Sequence, residues 1–283
     1  MKKAFLILVS LLFTSVIVLS FTGCDSGAVS GLPSSVNEEE TENNMGEYLD
    51  GTVAELVRDN PVKMLQLTPV EIGEELVVLH TNFGDITLRL FPDEAPLAVE
   101  NFLTHARNGF YDGVIFHRVI PGFMIQSGDP TGTGSGGHSI WGEPFGLEAS
   151  FNLRHFRGAL AMAHARGAMG SQFYIVQNSN LAAGYVRQFT DLLESLDDLI
   201  GVFSDGHRLY LRDIHLREAY EHFLAEGGTP HLDWLYGSQE PHTVFGHVVS
   251  GMDVVDAIAI TNAVNHRPNE DVVINSISFI IYE

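Results

Sequence analysis

The chain has 283 residues, enough for one large domain or two small ones. Hydrophobic residues make up 45%, an ordinary globular share that excludes wholesale disorder. The formal net charge of -21, from 36 acidic against 15 basic residues, repels phosphate backbones and speaks against nucleic-acid binding and against adhesion to anionic lipid by charge alone.

Met1-Lys2-Lys3 is a short basic start, and Ala4 to Phe21 carries no charge. Thr22-Gly23-Cys24 follows, so residues 1–23 have the form of a signal peptide. Cys24 is the one cysteine, which excludes an intrachain disulfide and a cysteine-rich metal site. A cysteine directly after small residues resembles a bacterial lipobox. That resemblance implies cleavage before Cys24, lipidation of its sulfur and anchoring through acyl chains, of which two hold far better than one. The alternative is an uncleaved single span, for which Ala4 to Phe21 is about long enough. Either way the remainder faces outward from a membrane, in a bacterial cell envelope. Residues 24–75 read as an acidic flexible tether. Asp25 to Asn44 is rich in Ser, Gly, Asn and Glu, with too few large apolar residues to fold. Val53 to Leu67 is more apolar and reads as a partly ordered linker.

Order is expected from about Glu74. Leu76–Thr81 and Ile86–Phe91 are β-type runs joined by Asn82-Phe83-Gly84-Asp85, a hairpin pattern. Pro92 to Pro96 breaks the strand, and Ala95 to Asn108 carries apolar residues at helical spacing, closed by Gly109. Further strands are predicted at Val114–Ile120, Phe123–Ser127, Ala159–Ala163, Gln172–Val176, Thr243–Val248 and Val272–Tyr282, and a second helix at Gly251–Ile260. Many short strands with glycine-bearing loops and two helices predict a mostly β fold, a closed barrel capped by helices. Within residues 181–228, Phe189–Val202 and Leu209–Ala225 have helical spacing. This is read as a helical insertion, either a surface excursion packed on the barrel side or a lid or docking arm.

The run Phe116 to Asp129 sets Arg118 among Phe116, Val119, Ile120, Phe123 and Met124. Arginine usually stays in water, so here it either snorkels from a core strand or stands at the edge of an apolar pocket. The run Gly132-Thr133-Gly134-Ser135-Gly136-Gly137 lacks the Gly-Lys-Ser/Thr ending of a phosphate loop and reads as a flexible loop. There is no His-Glu-x-x-His and no Gly-x-Ser-x-Gly, so no metal site and no hydrolase elbow are indicated.

Residues 76–283 resemble the cyclophilin family of peptidyl-prolyl cis-trans isomerases. The resemblance rests on Ala98-Val99-Glu100-Asn101-Phe102, Tyr111 to Val119, Pro121 to Asp129, Gly132-Thr133-Gly134, Gly170 to Ile175 and His242 to Gly246, in that order. It implies an eight-stranded antiparallel barrel with a helix at each end. It also implies catalysis of rotation about the amide preceding proline, whose barrier is about 18–20 kcal/mol. No bond breaks, so neither cofactor nor metal is expected. The resemblance assigns Arg118 to the prolyl amide as catalytic residue, Phe123 and Met124 to the proline pocket, and Gln126 to the substrate backbone. It places Ala163 and His164 along the extended peptide, with His164 where the family usually has Asn. Gln172 and Tyr174 lie two apart on a strand and so share a face. Gln172 can position Arg118 or the peptide, and Tyr174 stands where Phe is common. Leu232 and His242 match the remaining wall and edge. His231 aligns where the family often has Trp, and the alternative alignment puts Trp234 and Leu235 in the wall. The implied partners are proline-containing peptides and unfolded exported proteins, met by a membrane-anchored monomer. The rival readings are a peptide-binding chaperone without relevant turnover and a solute-binding lipoprotein.

Overall fold

The structure is a computed structural model and describes residues 60–202, 208–236, 238 and 241–283. The expected signal peptide over 1–23, Cys24 and the tether as far as residue 59 lie outside the described residues. The described chain falls into two compact units. The larger is built from Lys63–Phe189 and Leu216–Glu283, and the smaller includes Thr190–His215.

In the larger unit eight strands form one antiparallel sheet. They are β1 (Glu75–Thr81), β2 (Gly84–Leu90), β3 (Arg118–Ile120), β4 (Met124–Ser127), β5 (Ala159–Ala165), β6 (Ala168–Val176), β9 (Val244–Ser250) and β12 (Ile274–Ile281). Their order is β12-β1-β2-β9-β5-β6-β4-β3, and the short strands β10 (Ala263–Val264) and β11 (Arg267–Pro268) pair with each other outside it. Closure of this ladder was expected, yet β12 and β3 are edges that do not pair as strands. Among the described residues an isolated bridge, Ile115 to Val273, and the bonds from Gly113 N to Ile274 O, from Phe116 N to Val272 O and from Ile274 N to Val114 O lie between the segments beside them. The sheet is therefore curled, a half-barrel rather than a continuous cylinder. The reason is local. The expected strand Val114–Ile120 ladders only over its last three residues, because the stretch before Arg118 is bonded to Val272 and Ile274 instead.

Strand alternation divides the side chains into two sets. Val77, Leu79, Ile86, Leu88, Val119, Ile125, Leu160, Met162, Phe173 and Ile175 enter the main core. Met124, Ala159, Ala161, Tyr174, Val176 and Val244 form a second apolar cluster with Phe91 and Leu153. The helix α1 (Pro96–Arg107) closes the main core with Ala98, Val99, Phe102 and Ala106. Pro96 sits in its first turn, and the Glu148 carboxylate accepts from the N–H groups of Leu97 (3.0 Å) and Ala98 (2.9 Å). That carboxylate satisfies two orphan donors and meets the positive end of the helix. The ring of Phe102 meets Phe173 edge-on at 5.3 Å and Phe245 at 5.5 Å. Burying such a ring contributes about 1.5–3 kcal/mol. The helix α4 (Met252–Ala259) adds Val255, Ile258 and Ala259 to the same core.

Packing begins earlier than the predicted tether end at residue 75. Met64 is buried, and buried Gln66 exchanges side-chain bonds with the Arg154 backbone, donating to its O (2.9 Å) and accepting from its N (2.7 Å). An apolar Met and a fully paired amide are enough to dock a short segment.

The insertion holds two further helices, α2 (Ala183–Ser195) and α3 (Arg217–Glu226). Between them the expected helix over Phe189–Val202 ends early. A hairpin of β7 (Leu199–Val202) and β8 (Arg208–Tyr210) follows. The β-branched Ile200 and Val202 favour strand over helix there. In the larger unit Phe189, Tyr220 and Phe223 are buried, and the Phe223 ring lies 4.6 Å from that of Phe156. The insertion ends thus share an aromatic cluster with the domain.

Candidate active site

The register sets a row of side chains across the sheet. Arg118 on β3 is opposite Gln126 on β4, Gln126 is opposite Tyr174 on β6, and Tyr174 is opposite Ala161 on β5. Facing residues in neighbouring strands stand about 4.5–5.5 Å apart, so the row is a compact platform. Gln172 is the diagonal neighbour of Gln126 on the same face.

Three side chains of this platform form a hydrogen-bonded relay. The Gln172 amide donates to the carbonyls of Gly134 (3.1 Å) and Gly136 (2.8 Å). Gln172 Oε1 accepts from Gln126 Nε2 at 2.9 Å, and Gln126 Oε1 accepts from Arg118 Nη1 at 3.1 Å. Arg118 is exposed, and its guanidinium carbon lies 6.0 Å from the Phe123 ring centroid.

The loop that starts this relay is not the flexible glycine run the sequence suggested. Asp129 is fully buried. Its carboxylate accepts from the backbone N–H of Thr131 (2.8 Å), Thr133 (3.1 Å), Gly134 (2.7 Å) and Gly136 (3.0 Å), and from the Thr131 hydroxyl (2.7 Å). Burial alone would raise the Asp129 pKa. The donors of Thr131, Gly136 and Gly134 outweigh it and hold the carboxyl well below the usual carboxylate range. Gly136 is required because a Cβ there would collide with the Asp129 carboxylate. Asp129 was visible in the sequence only as the end of a motif. The signal that could have found it is an Asp followed by Thr and Gly residues, whose N–H groups can wrap a carboxylate.

The apolar part of the site is the second cluster. Phe123, Ala163 and Leu232 pack half-buried against it, above buried Met124 and Tyr174. Leu232 comes from a 3-10 turn, Pro230–Leu232, that also carries His231. The exposed His231 ring stacks on Phe123 at 5.8 Å and 28°. Leu232, and not Leu235, packs against the cluster. The side chain of Trp234 lies outside those described.

His242 forms the polar edge. Its ring meets Tyr174 edge-on at 5.4 Å and His164 at 4.0 Å, and its Nδ1 donates to the Met162 carbonyl at 3.0 Å. Burial lowers its pKa to about 4, so it is neutral at pH 7. His164 differs from what its alignment suggested. Its Nδ1 accepts from Gly167 N–H (3.0 Å), which leaves Nε2 to donate to the Pro241 carbonyl (3.0 Å). Both ring nitrogens are therefore engaged within the chain. Below Tyr174 lies the His155–Asp233 pair at 2.6 Å, with the His155 ring stacked 6.2 Å from Tyr174. The Tyr174 hydroxyl is buried and has no hydrogen-bond partner among the described residues. Among the described residues no group of three His, Cys, Asp or Glu could hold a metal ion.

The site is a curled antiparallel sheet presenting an apolar surface beside a guanidinium that bonds Gln126, which in turn bonds Gln172. The profile of the cyclophilin type peptidyl-prolyl cis-trans isomerase/CLD family matches residues 76–279, and the chain belongs to that family. A Staphylococcus aureus (strain COL) protein named "Putative peptidyl-prolyl cis-trans isomerase" is 44% identical over 210 residues, covering 74% of this chain and 93% of that one. A Staphylococcus saprophyticus protein of the same name is 41% identical over 215 residues, covering 75% and 95%. Among solved structures, a Cryptosporidium parvum cyclophilin type isomerase, crystallised in the presence of the dipeptide Ala-Pro, is similar with a TM-score of 0.51. It is 27% identical, and the match covers 74% of this chain and 99% of that one.

Proposed function

We propose that this chain catalyses cis-trans rotation of Xaa-Pro bonds with Arg118 as the catalytic residue. The proline ring rests on Phe123 and Leu232, over the Met124 and Tyr174 floor, beside Ala163. In the twisted amide the nitrogen has lost conjugation and regained a lone pair. A donor aimed at that nitrogen is worth more in the transition state than in the planar ground state. Arginine is permanently charged and carries its donors in a rigid fork, which suits the nitrogen and its neighbouring carbonyl together. Gln126 fixes the guanidinium and remains close enough to reach the substrate backbone, while Gln172 fixes Gln126. His231 and His242 border the ring, and His164 contributes shape rather than a free donor.

The observation that carries this reading is the Arg118–Gln126–Gln172 relay beside the apolar cluster. The Ala-Pro dipeptide of the Cryptosporidium structure supports a proline-containing peptide as substrate. The amino-terminal sequence supports the further proposal that Cys24 carries an acyl anchor. The domain would then meet exported chains at the outer face of a bacterial membrane, where proline isomerisation limits folding. The test is turnover of a short Xaa-Pro peptide by the purified protein, followed by exchange NMR. Acceleration over the uncatalysed rate is expected. Binding of the peptide without acceleration would instead favour a chaperone that only holds proline segments.

A further inference from the structure

A cavity of about 310 Å³ lies beside the proline site, lined by Asn180, Leu181, Ala182, Tyr185, Pro230 and His231. It is built where the insertion leaves and rejoins the domain. Asn178 N donates to the Phe123 carbonyl (3.2 Å), and the Asn178 side chain donates to the Gly228 carbonyl (2.8 Å). These bonds tie the cavity's rim to the segment that carries Phe123.

We infer that this cavity is a second peptide subsite, taking a large uncharged side chain two or three residues from the proline. The inference rests on the isomerase reading given above. Three observations carry it. The first is continuity: His231 is one wall of the cavity and also stacks on Phe123 at 5.8 Å, so one ring separates the two sites. The second is spacing. Side chains on one face of an extended peptide recur about every 6.8 Å, so a peptide with its proline on Phe123 brings the next same-side residue past His231. Strand β6 gives the direction: Gln172 lies two residues from Tyr174 toward the Ala163 and His164 end, and Asn178 lies four residues from it the other way, past the end of the strand. The cavity therefore serves one flank of the proline and not the other. The third is chemistry. Leu181, Ala182, Pro230 and the Tyr185 ring are apolar, the asparagines offer amides, and no charged side chain lines the space. Its volume suits leucine or an aromatic ring, and its lining offers a charged side chain no counter-charge.

The test uses the full chain and two peptide sets. One is a short blocked Xaa-Pro peptide. The other extends three residues on each flank, with the second and third positions varied among Phe, Leu, Ala and Glu. At one position on a single flank, Phe or Leu is expected to raise kcat/KM about tenfold over Ala through KM, with Glu lowest. Half-buried Leu181 sits before α2, and Leu181→Trp fills the cavity, so it should cut that preference at least fivefold. Amide cross-peaks of Asn180, Leu181 and Ala182 in the wild-type protein should shift with the extended peptide and not with the short one. Turnover of the short peptide with no positional preference and still cross-peaks overturns the subsite alone. Failure to turn over even the short peptide overturns the isomerase reading, and the subsite with it.

Discussion

Arg118→Ala tests the proposed mechanism most directly, because its effects on folding and on rate are expected to separate. Arg118 is exposed, forms one hydrogen bond to Gln126 at 3.1 Å, and lies 6.0 Å above Phe123. An exposed bond of that kind contributes little, so the stability loss should stay within about 1 kcal/mol. The rate effect should be much larger. Removing one donor aimed at developing transition-state charge costs about 10²–10³ in kcat, or about 2.7–4 kcal/mol. Arg118→Lys keeps the charge but replaces the planar fork with a point charge on a flexible stem, so most of the loss should remain. The assay is exchange NMR or protease-coupled turnover on a short Xaa-Pro peptide, paired with urea unfolding. A folded Arg118→Ala protein that keeps activity within threefold of wild type would refute the assigned role.

Gln172→Leu removes two bonds to loop carbonyls and the bond to Gln126, so Arg118 loses its fixed partner. Since a neutral hydrogen bond contributes about 1 kcal/mol, kcat should fall five- to tenfold with KM little changed, and a KM effect alone would refute the relay. Tyr174→Phe deletes a buried hydroxyl without a partner among the described residues, whose pKa burial pushes far up. It should raise stability by about 1 kcal/mol in urea unfolding, and a loss of that size would mean the hydroxyl is satisfied. The histidines give the pH dependence. Burial lowers the His247 pKa to about 3 and that of His242 to about 4. An unfolded histidine titrates near 6.5, so below that pH the unfolded chain binds more protons than the folded one. Stability should be flat above about pH 7 and fall as the pH drops from 6.5 toward 4. A urea midpoint that is constant or rises over that range would contradict the buried, neutral histidines.

The main strands and the two helices outside the insertion were legible in different ways: Leu76 to Leu79 is a continuous apolar run, Ile86, Leu88 and Leu90 alternate, and Val99, Phe102 and Ala106 recur at helical spacing. The edges of the sheet were not legible. Phe116 and Val119 read as strand by composition, but whether such a segment ladders depends on Val272 and Ile274, more than 150 residues away. The hairpin in the insertion was hidden for a related reason: Leu196, Leu199 and Ile200 fit a helical stripe as well as a strand. Most of the site was legible through its motif residues, but their tethering was not. Nothing local in His164 reveals that Pro241 engages it, and the Thr and Gly residues after Asp129 signal a wrapped carboxylate without showing that six donors converge on it.

That tethering bears on how an exposed arginine could act as a preorganised donor. A buried guanidinium is held by packing, whereas Arg118 sits on the edge strand β3 and must be held by bonds. The relay has a single polarity. Both Gln172 donors to the loop are committed to the carbonyls of Gly134 and Gly136, which leaves its oxygen for Gln126. Gln126 then donates to Gln172 and keeps its own oxygen for Arg118. Reversing either amide would set donor against donor. The direction of the whole chain is fixed at its far end by Asp129, whose carboxylate takes the N–H groups of Thr131, Thr133, Gly134 and Gly136 and leaves the Gly134 and Gly136 carbonyls to Gln172. A buried carboxylate and six small loop residues thus do at a distance what burial would otherwise do directly. The guanidinium stays exposed, where an incoming peptide can reach it.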